Sequence, residues 1–177
     1  MSSLADLRQL VRQRARFACE FCGVTETSTG GQLTLDHFRP KSKGGSDALS
    51  NLIYCCVRCN QYKQDYWPCE ESALTIWNPS TEPANIHFFE SENGTLLPRT
   101  KTGEFTIKRL RLNRPSLVAY RDKVRKQAEK SRLIEQYKTT VQLLEQVNRQ
   151  LVNQVEEQQK LLEEQRNLLQ FLLDSRD

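Results

Sequence analysis

Cys19-Glu20-Phe21-Cys22 and Cys56-Val57-Arg58-Cys59 carry the plainest chemical meaning in the chain. Each CxxC knuckle holds two thiolates close enough to fill half of a tetrahedral shell, and two knuckles complete one zinc site. Four sulfurs leave no open position for a substrate, so the expected Zn2+ is structural, clamping the start of the domain to the start of a short helix. Cys55 and Cys69 are left over as core or surface thiols, with Cys55 the alternative to Cys56 as the ligand. Around the knuckles lie an imidazole and three hard oxygen donors: Asp36-His37, Asn51 and Asn60. Singly, an Asp-His pair is commonly a turn and an asparagine commonly a cap. It is their joint placement beside the knuckles that points to a site.

These residues need elements to hold them. Leu4, Leu7, Leu10 and Val11 recur at helical spacing, which predicts a short amphipathic helix over residues 4–16 whose arginines lie largely on other faces. Residues 33–38 read as a strand that Arg39-Pro40 ends, Gly44-Gly45 as a turn, residues 51–56 as a second strand, and residues 57–65 as a helix stopped before Trp67-Pro68. Asp36-His37 then ends one strand, Asn51 opens the next, and Asn60 rides the helix. Farther on, His87-Phe88-Phe89 and Thr95-Leu96-Leu97 flank Asn93-Gly94, a hairpin signal that places His87 in a strand. Residues 106–111 suggest another helical turn or two, and Pro115 suits the first position of a long helix with no later Pro or Gly.

Composition divides the chain at the same place. All six cysteines, all six prolines and nearly every aromatic residue precede residue 116, whereas Gln, Glu, Leu and Asn crowd the last third. The expected domains are residues 1–114 and 115–177. A core that small usually needs a staple. The +4 net charge conceals an asymmetry: residues 99–132 hold twelve Lys or Arg against three acids, while residues 141–177 hold four against seven. No apolar run approaches a membrane span and the first residues lack the pattern of a signal peptide, so a reducing cytoplasmic setting is expected, in which short cysteine pairs favour metal over disulfide.

The run Leu35-Asp36-His37-Phe38-Arg39-Pro40, followed by Gly44-Gly45, Asn51-Leu52 and Cys56-Val57-Arg58-Cys59-Asn60 with Lys63, resembles the motif of the HNH endonucleases. The resemblance covers residues 17–66 closely, and residues 77–114 more loosely resemble the extension of some bacterial members. It implies an α+β fold, a small zinc-stabilised ββα-metal domain, followed here by the long helix. It also implies hydrolysis of DNA phosphodiester bonds, leaving 5′-phosphate and 3′-hydroxyl ends, with His37 as general base and a divalent cation, Mg2+ or Mn2+, held by Asp36 and Asn60. Asn51 is implied to brace the loop and hold the histidine ring through backbone contacts. Where the family often ends in histidine this chain has Asn60, so it resembles the His-Asn-Asn members. Arg39, Lys41, Lys43 and Lys63 surround the same centre as candidate phosphate contacts.

The long helix continues as a heptad pattern, with Ile134, Val141, Asn148, Val155, Leu162 and Leu169 at a, and Tyr137, Leu144, Leu151, Gln158, Gln165 and Leu172 at d. Leu133, Val147, Leu161 and Leu168 at g widen the stripe, which predicts a coiled coil over residues 134–173. Self-association into a homo-oligomer is expected, with docking on a partner protein the other outcome. Two single-strand-cutting centres on one particle would fit paired nicking or double-strand cleavage, and an interaction helix on a small nuclease would fit a bacterial defence system. The rival reading is a zinc-containing binding module that grips DNA or RNA, recruits a partner through its coiled coil and breaks no bond.

Overall fold

A computed structural model describes the backbone of residues 4–69 and 74–174, and side chains within residues 6–69 and 74–171. The side chains of Leu4 and Leu172, which the sequence placed on apolar faces, lie outside the described residues. Two compact units result, residues 1–125 and residues 126–177.

In the first unit the order is helix α1 (Leu4–Arg14), a one-turn helix α2 (Glu26–Thr29), strands β1 (Thr34–His37) and β2 (Leu52–Cys55), helix α3 (Val57–Lys63), a one-turn helix α4 (Ala84–His87), strands β3 (Phe88–Glu90) and β4 (Leu96–Pro98), helix α5 (Lys101–Arg109) and the start of helix α6 (Pro115–Asp174). The class is mixed α+β. Strand β1 pairs antiparallel with β2, so that Asp36 faces Ile53 and His37 faces Leu52 across the ladder. Every residue of β2 is buried, with β1 paired along it and α1 packed against it, and Leu52, Ile53 and Tyr54 anchor the core. A second cluster stacks Trp77 edge-on against Phe88 with ring centres 5.2 Å apart, and Phe21 joins it from the first knuckle.

The elements are mostly shorter than the sequence patterns. Helix α1 stops at Arg14 because Arg16 and Phe17 both take left-handed backbone angles that turn the chain into the knuckle. Its arginines are committed to structure: Arg8 donates to the Leu33 carbonyl at 2.8 Å, Arg12 forks onto Glu26 at 2.6 and 2.7 Å, and Arg14 reaches Glu20 and the Leu49 and Leu52 carbonyls. Asn51 ends a 3₁₀ turn (Leu49–Asn51) instead of opening β2. Around Asn93-Gly94 the expected hairpin forms as β3 and β4, and a side chain at Gly94 would strike the Val118 carbonyl at 2.5 Å. His87 is not in the strand as expected: it closes α4, with its ring between Thr100 and Glu82 at 2.7 Å each, a fully satisfied buried histidine. Helix α5 begins five residues earlier than residue 106, since Thr100 caps it by accepting from the Gly103 N–H.

The first unit extends to Arg125, past the composition change, because α6 begins as part of its core: Leu117 is buried and Arg121 donates to the Gly94 and Leu112 carbonyls. In the second unit, the helix presents Ile134, Tyr137, Val141, Leu144, Leu151, Val155, Leu162 and Leu169 at 45–65% exposure, so nothing within the single chain covers the apolar stripe. No described helix is long and apolar enough to cross a membrane.

One polar network ties α1, α2 and β2 together. Glu26 accepts from Arg12 and from the buried Tyr54 hydroxyl, whose oxygen in turn accepts from the Leu33 N–H at 2.8 Å. Hydrogen bonds from Arg12 and then Tyr54 hold the Glu26 carboxyl at about 2, below the usual carboxylate range. A depressed folded pKa contributes stability that is present above the ordinary carboxylate pKa and disappears as pH falls through the folded one. Glu26→Gln should therefore melt at a lower temperature than wild type at pH 7, with the gap narrowing as the pH is lowered from about 4.5 toward 2; paired thermal melts of the two proteins across that window check it, and a constant gap would deny Glu26 this role.

Candidate functional site

The four knuckle cysteines converge. Their sulfurs all lie within 4.8 Å of one another, all four residues are buried, and the Cys22 and Cys56 sulfurs are 3.8 Å apart. Tetrahedral zinc with Zn–S bonds of about 2.3 Å spaces its sulfurs about 3.8 Å apart, whereas a disulfide needs about 2 Å. The donor set thus fits zinc, and it forms because Cys56 is both the last link from β2 and the N-cap of α3, its sulfur accepting from the Cys59 N–H at 3.4 Å. Cys56 is biased toward thiolate by hydrogen bonds from Cys19 and then Cys22. Four thiolates around one Zn2+ leave an excess of two negative charges, and Arg114 stands beside them. Burial opposes its charge, but the Cys59 and Cys22 sulfurs outweigh burial and raise its pKa.

Cys55 does not belong to the cluster. As the next residue along an extended chain it points to the opposite side, where its sulfur lies 3.7 Å from the Thr34 hydroxyl, and burial pushes its thiol up to about 12. A buried thiol so reluctant to ionise is an inert packing group. Cys69 is exposed and outside the cluster as well.

The second centre sits at the end of β1. His37 Nε2 is 2.7 Å from Asp47 Oδ1, and the other oxygen of Asp47 takes the Lys41 ammonium at 2.9 Å. Hydrogen bonds from His37 and then Lys41 lower the Asp47 pKa. An ionised carboxylate only accepts, so Nε2 carries the ring proton and Nδ1 keeps its lone pair. Asp47 escaped the sequence reading because it lies ten residues from His37 in a loop of unremarkable polar residues; an acid inside the glycine turn was the only available signal.

Asn51 fastens that loop. Its carbonyl oxygen accepts from the Arg39 N–H at 2.8 Å, and its amide donates to the Arg39 carbonyl at 3.1 Å and the Ser46 carbonyl at 2.8 Å. The closure leaves no space at Gly45, where a Cβ would lie 1.8 Å from the Arg39 carbonyl oxygen. The histidine ring itself is held by Asp47, and Asn51 acts one step removed, on the loop that carries Asp47.

Lys63 is corrected outright. At 1% side-chain exposure it cannot reach a phosphate in solvent; its ammonium donates to the His37 carbonyl at 2.7 Å and lies 2.8 Å from Asp36 Oδ2. The two form a buried ion pair in which Asp36 Oδ2 accepts no well-aligned hydrogen bond. A carboxylate of that kind is a hard ligand of the sort a divalent cation takes. Asn60 lies one turn before Lys63 on α3 and therefore shares its face toward β1, and among the described residues its side-chain amide has no hydrogen-bond partner. Of the other cationic candidates, Arg39 donates to the Lys43 carbonyl and lies over the Trp67 ring at 5.2 Å, Lys41 serves Asp47, and Lys43 is exposed.

Two antiparallel strands, a glycine-containing loop and a helix thus carry an acid, a histidine and two asparagines in the unit that also holds the four-sulfur cluster. Residues 19–70 match the family model for HNH endonuclease. The matched stretch holds both knuckles and both strands of the centre, and the four-cysteine cluster fits the zinc-binding HNH variant. No curated protein and no solved structure shows a significant match to the chain.

The metal assignment makes a sharp distinction between neighbouring cysteines. Wild-type protein should carry about one zinc per chain, Cys56→Ser should lose it and melt without cooperativity, and Cys55→Ala should retain it with a cost of about 1 kcal/mol for the lost buried sulfur. Elemental analysis with chemical denaturation decides this; zinc retained by Cys56→Ser would refute the four-sulfur assignment.

Proposed function

We propose that the chain is a metal-dependent endonuclease that hydrolyses DNA phosphodiester bonds at the Asp36–His37 centre. The observation that carries this reading is the His37–Asp47 pair, which fixes the tautomer that leaves Nδ1 free to act as a base, one residue from the Asp36 carboxylate. Asp36 and Asn60 would hold the divalent cation, Mg2+ or Mn2+, which when bound offsets charge on the phosphate and on the leaving oxygen.

The rest of the reaction belongs to the protein's own groups. His37 Nδ1 takes a proton from a water molecule as the water oxygen bonds to phosphorus. The bond from phosphorus to the 3′ oxygen breaks, and that oxygen takes a proton from solvent, leaving 5′-phosphate and 3′-hydroxyl ends. Asp47 stabilises the imidazolium and keeps the ring aimed, as Asn51 and Gly45 hold the loop. Lys63 positions Asp36 from the interior and fixes the end of β1 through the His37 carbonyl. Arg39, Lys41 and Lys43 remain the phosphate contacts around the centre.

The apolar stripe, exposed at the described residues from Ile134 to Leu169, supports self-association through residues 134–173, which would present two such centres to one duplex. Pairs of closely spaced nicks, or double-strand breaks, would follow. Restriction of incoming DNA is a role that such activity could serve.

Supercoiled plasmid offered to the protein with Mg2+ or Mn2+ should be nicked or linearised and protected by EDTA. His37→Ala should slow cleavage by at least about a hundredfold, with zinc content unchanged and the protein sedimenting as a dimer or larger. Intact plasmid under all these conditions would leave a binding module in place of the enzyme, and a monomer in sedimentation would remove the paired-centre arrangement. Asp47→Asn is the finer test. An amide can donate to Nε2 and favour the other tautomer, so kcat should fall about a hundredfold or more with KM little changed, and Asp47→Glu should recover part of the loss; wild-type kcat in Asp47→Asn would show that the carboxylate does not orient the base.

A further inference from the structure

Helix α3 bears a second face that the proposed reaction does not use. Lys63 turns inward to Asp36, whereas Tyr62 on α3 faces the segment that joins α5 to α6, and Tyr66, just past the end of α3, packs on Phe105 and Arg109 of α5. Guanidinium groups lie over both rings. Arg111 stands 4.9 Å and Arg114 5.7 Å from the Tyr62 ring centre, and Arg109 stands 4.9 Å from that of Tyr66. Arg58, one turn before Tyr62, is exposed and lines with it and Arg114 a groove of about 700 Å³ that runs past Gly30 and Gly31. No acidic residue lines that groove.

The backbone sets this arrangement at a cost. Arg111 has a φ of 49°, a left-handed conformation unusual for a residue with a side chain. The fully buried Leu110 and Leu112 on either side pin the turn, so that Arg111 is the residue driven outward over Tyr62. Strain held in this way is often found where a side chain must be presented. Among the described residues no protein acceptor takes the Arg111 guanidinium, and stacking keeps its planar fork extended with its N–H groups free.

Hydrogen bonds link the neighbouring Arg109 to the candidate centre. Arg109 donates to the Lys63 carbonyl at 3.2 Å, and Lys63 in turn donates to the His37 carbonyl at 2.7 Å. We infer that Arg58 and Arg111, the latter stacked on Tyr62, form a phosphate-binding ledge that grips the backbone of duplex DNA. The inference rests on the nuclease reading for its choice of partner. It gives the +9 segment of residues 99–132 a specific task, because the groove offers positive charge with no competing acid and carries no base-reading element. Binding through such a ledge is strong in low salt and indifferent to sequence.

The test measures Kd for a short B-form duplex across a salt series, using full-length zinc-loaded protein carrying His37→Ala to prevent cleavage. In that background Arg58→Gln with Arg111→Gln should weaken binding about tenfold or more near physiological salt. It should also lower the slope of log Kd against log salt by roughly 1.8, the value for two phosphate contacts at about 0.9 each. Arg58→Lys with Arg111→Lys should keep most of the slope, since charge survives without the stack, and Tyr62→Leu should weaken binding with charge untouched. In the cleaving protein the double glutamine variant should raise KM and leave kcat at saturating plasmid within about twofold. Unchanged Kd and slope in a folded double variant, or equal arginine-dependent binding of an A-form RNA duplex, would overturn the ledge. If wild type binds with the expected arginine-dependent slope yet never cleaves, the nuclease reading fails and the ledge stands.

Discussion

The sulfur cluster is the constraint on which the first unit depends. It joins two stretches of chain more than thirty residues apart at the point where β2 becomes α3, and nearly all the candidate chemistry hangs from those two elements and from β1, paired with β2. A structural zinc site is worth about 10–16 kcal/mol in small peptides, as large as the whole stability of an ordinary domain, about 5–15 kcal/mol. Two strands of four residues and a helix of seven bury too little apolar surface to hold three elements in register. With the N-cap of α3 itself a member of the sulfur cluster, the direction of the helix axis, and hence the placing of Asn60 and Lys63, follows from that cluster.

From that clamp the rest of the centre is built by polar contacts inside a nearly closed scaffold. Lys63 spends a buried charge on Asp36 and on the end of β1, an expensive arrangement unless charge and direction are both matched. Direction is not matched, and Asp36 Oδ2 accepts no well-aligned hydrogen bond. Asn51, whose amide and carbonyl are both used, does the opposite: it satisfies a loop that has no regular ladder of its own.

What could be read from the sequence was the part written in local spacing. The CxxC pairs, the strand, loop, strand and helix order, and the Asn93-Gly94 hairpin depend on neighbours within a few residues, so residue type and interval were enough. Partners distant in the chain were not readable. Asp47 became significant only when the Gly45 turn folded it back over His37, and Lys63 became structural only when α3 turned it inward. His87 looked like a strand residue because it precedes two phenylalanines, while Glu82 and Thr100, which hold its ring, lie outside any pattern that a strand would show.

The arginines give the fullest case of this limit. A charge count assigns the same value to each of them, but burial and partners do not. Arg12 and Arg14 are locked onto Glu26 and Glu20, Arg121 is buried against main-chain carbonyls, and Arg114 balances the sulfur cluster. Lys63, three residues from Asn60 in sequence, is the least exposed of all the basic residues discussed. A cation already paired with a buried carboxylate contributes little to attracting a phosphate, since the two charges cancel within a few ångströms. The field outside the first unit is set by the arginines and lysines left after this internal pairing. The stacked Arg111 of the α5–α6 connection contributes to that remainder, because an aromatic face holds a guanidinium in place without neutralising it.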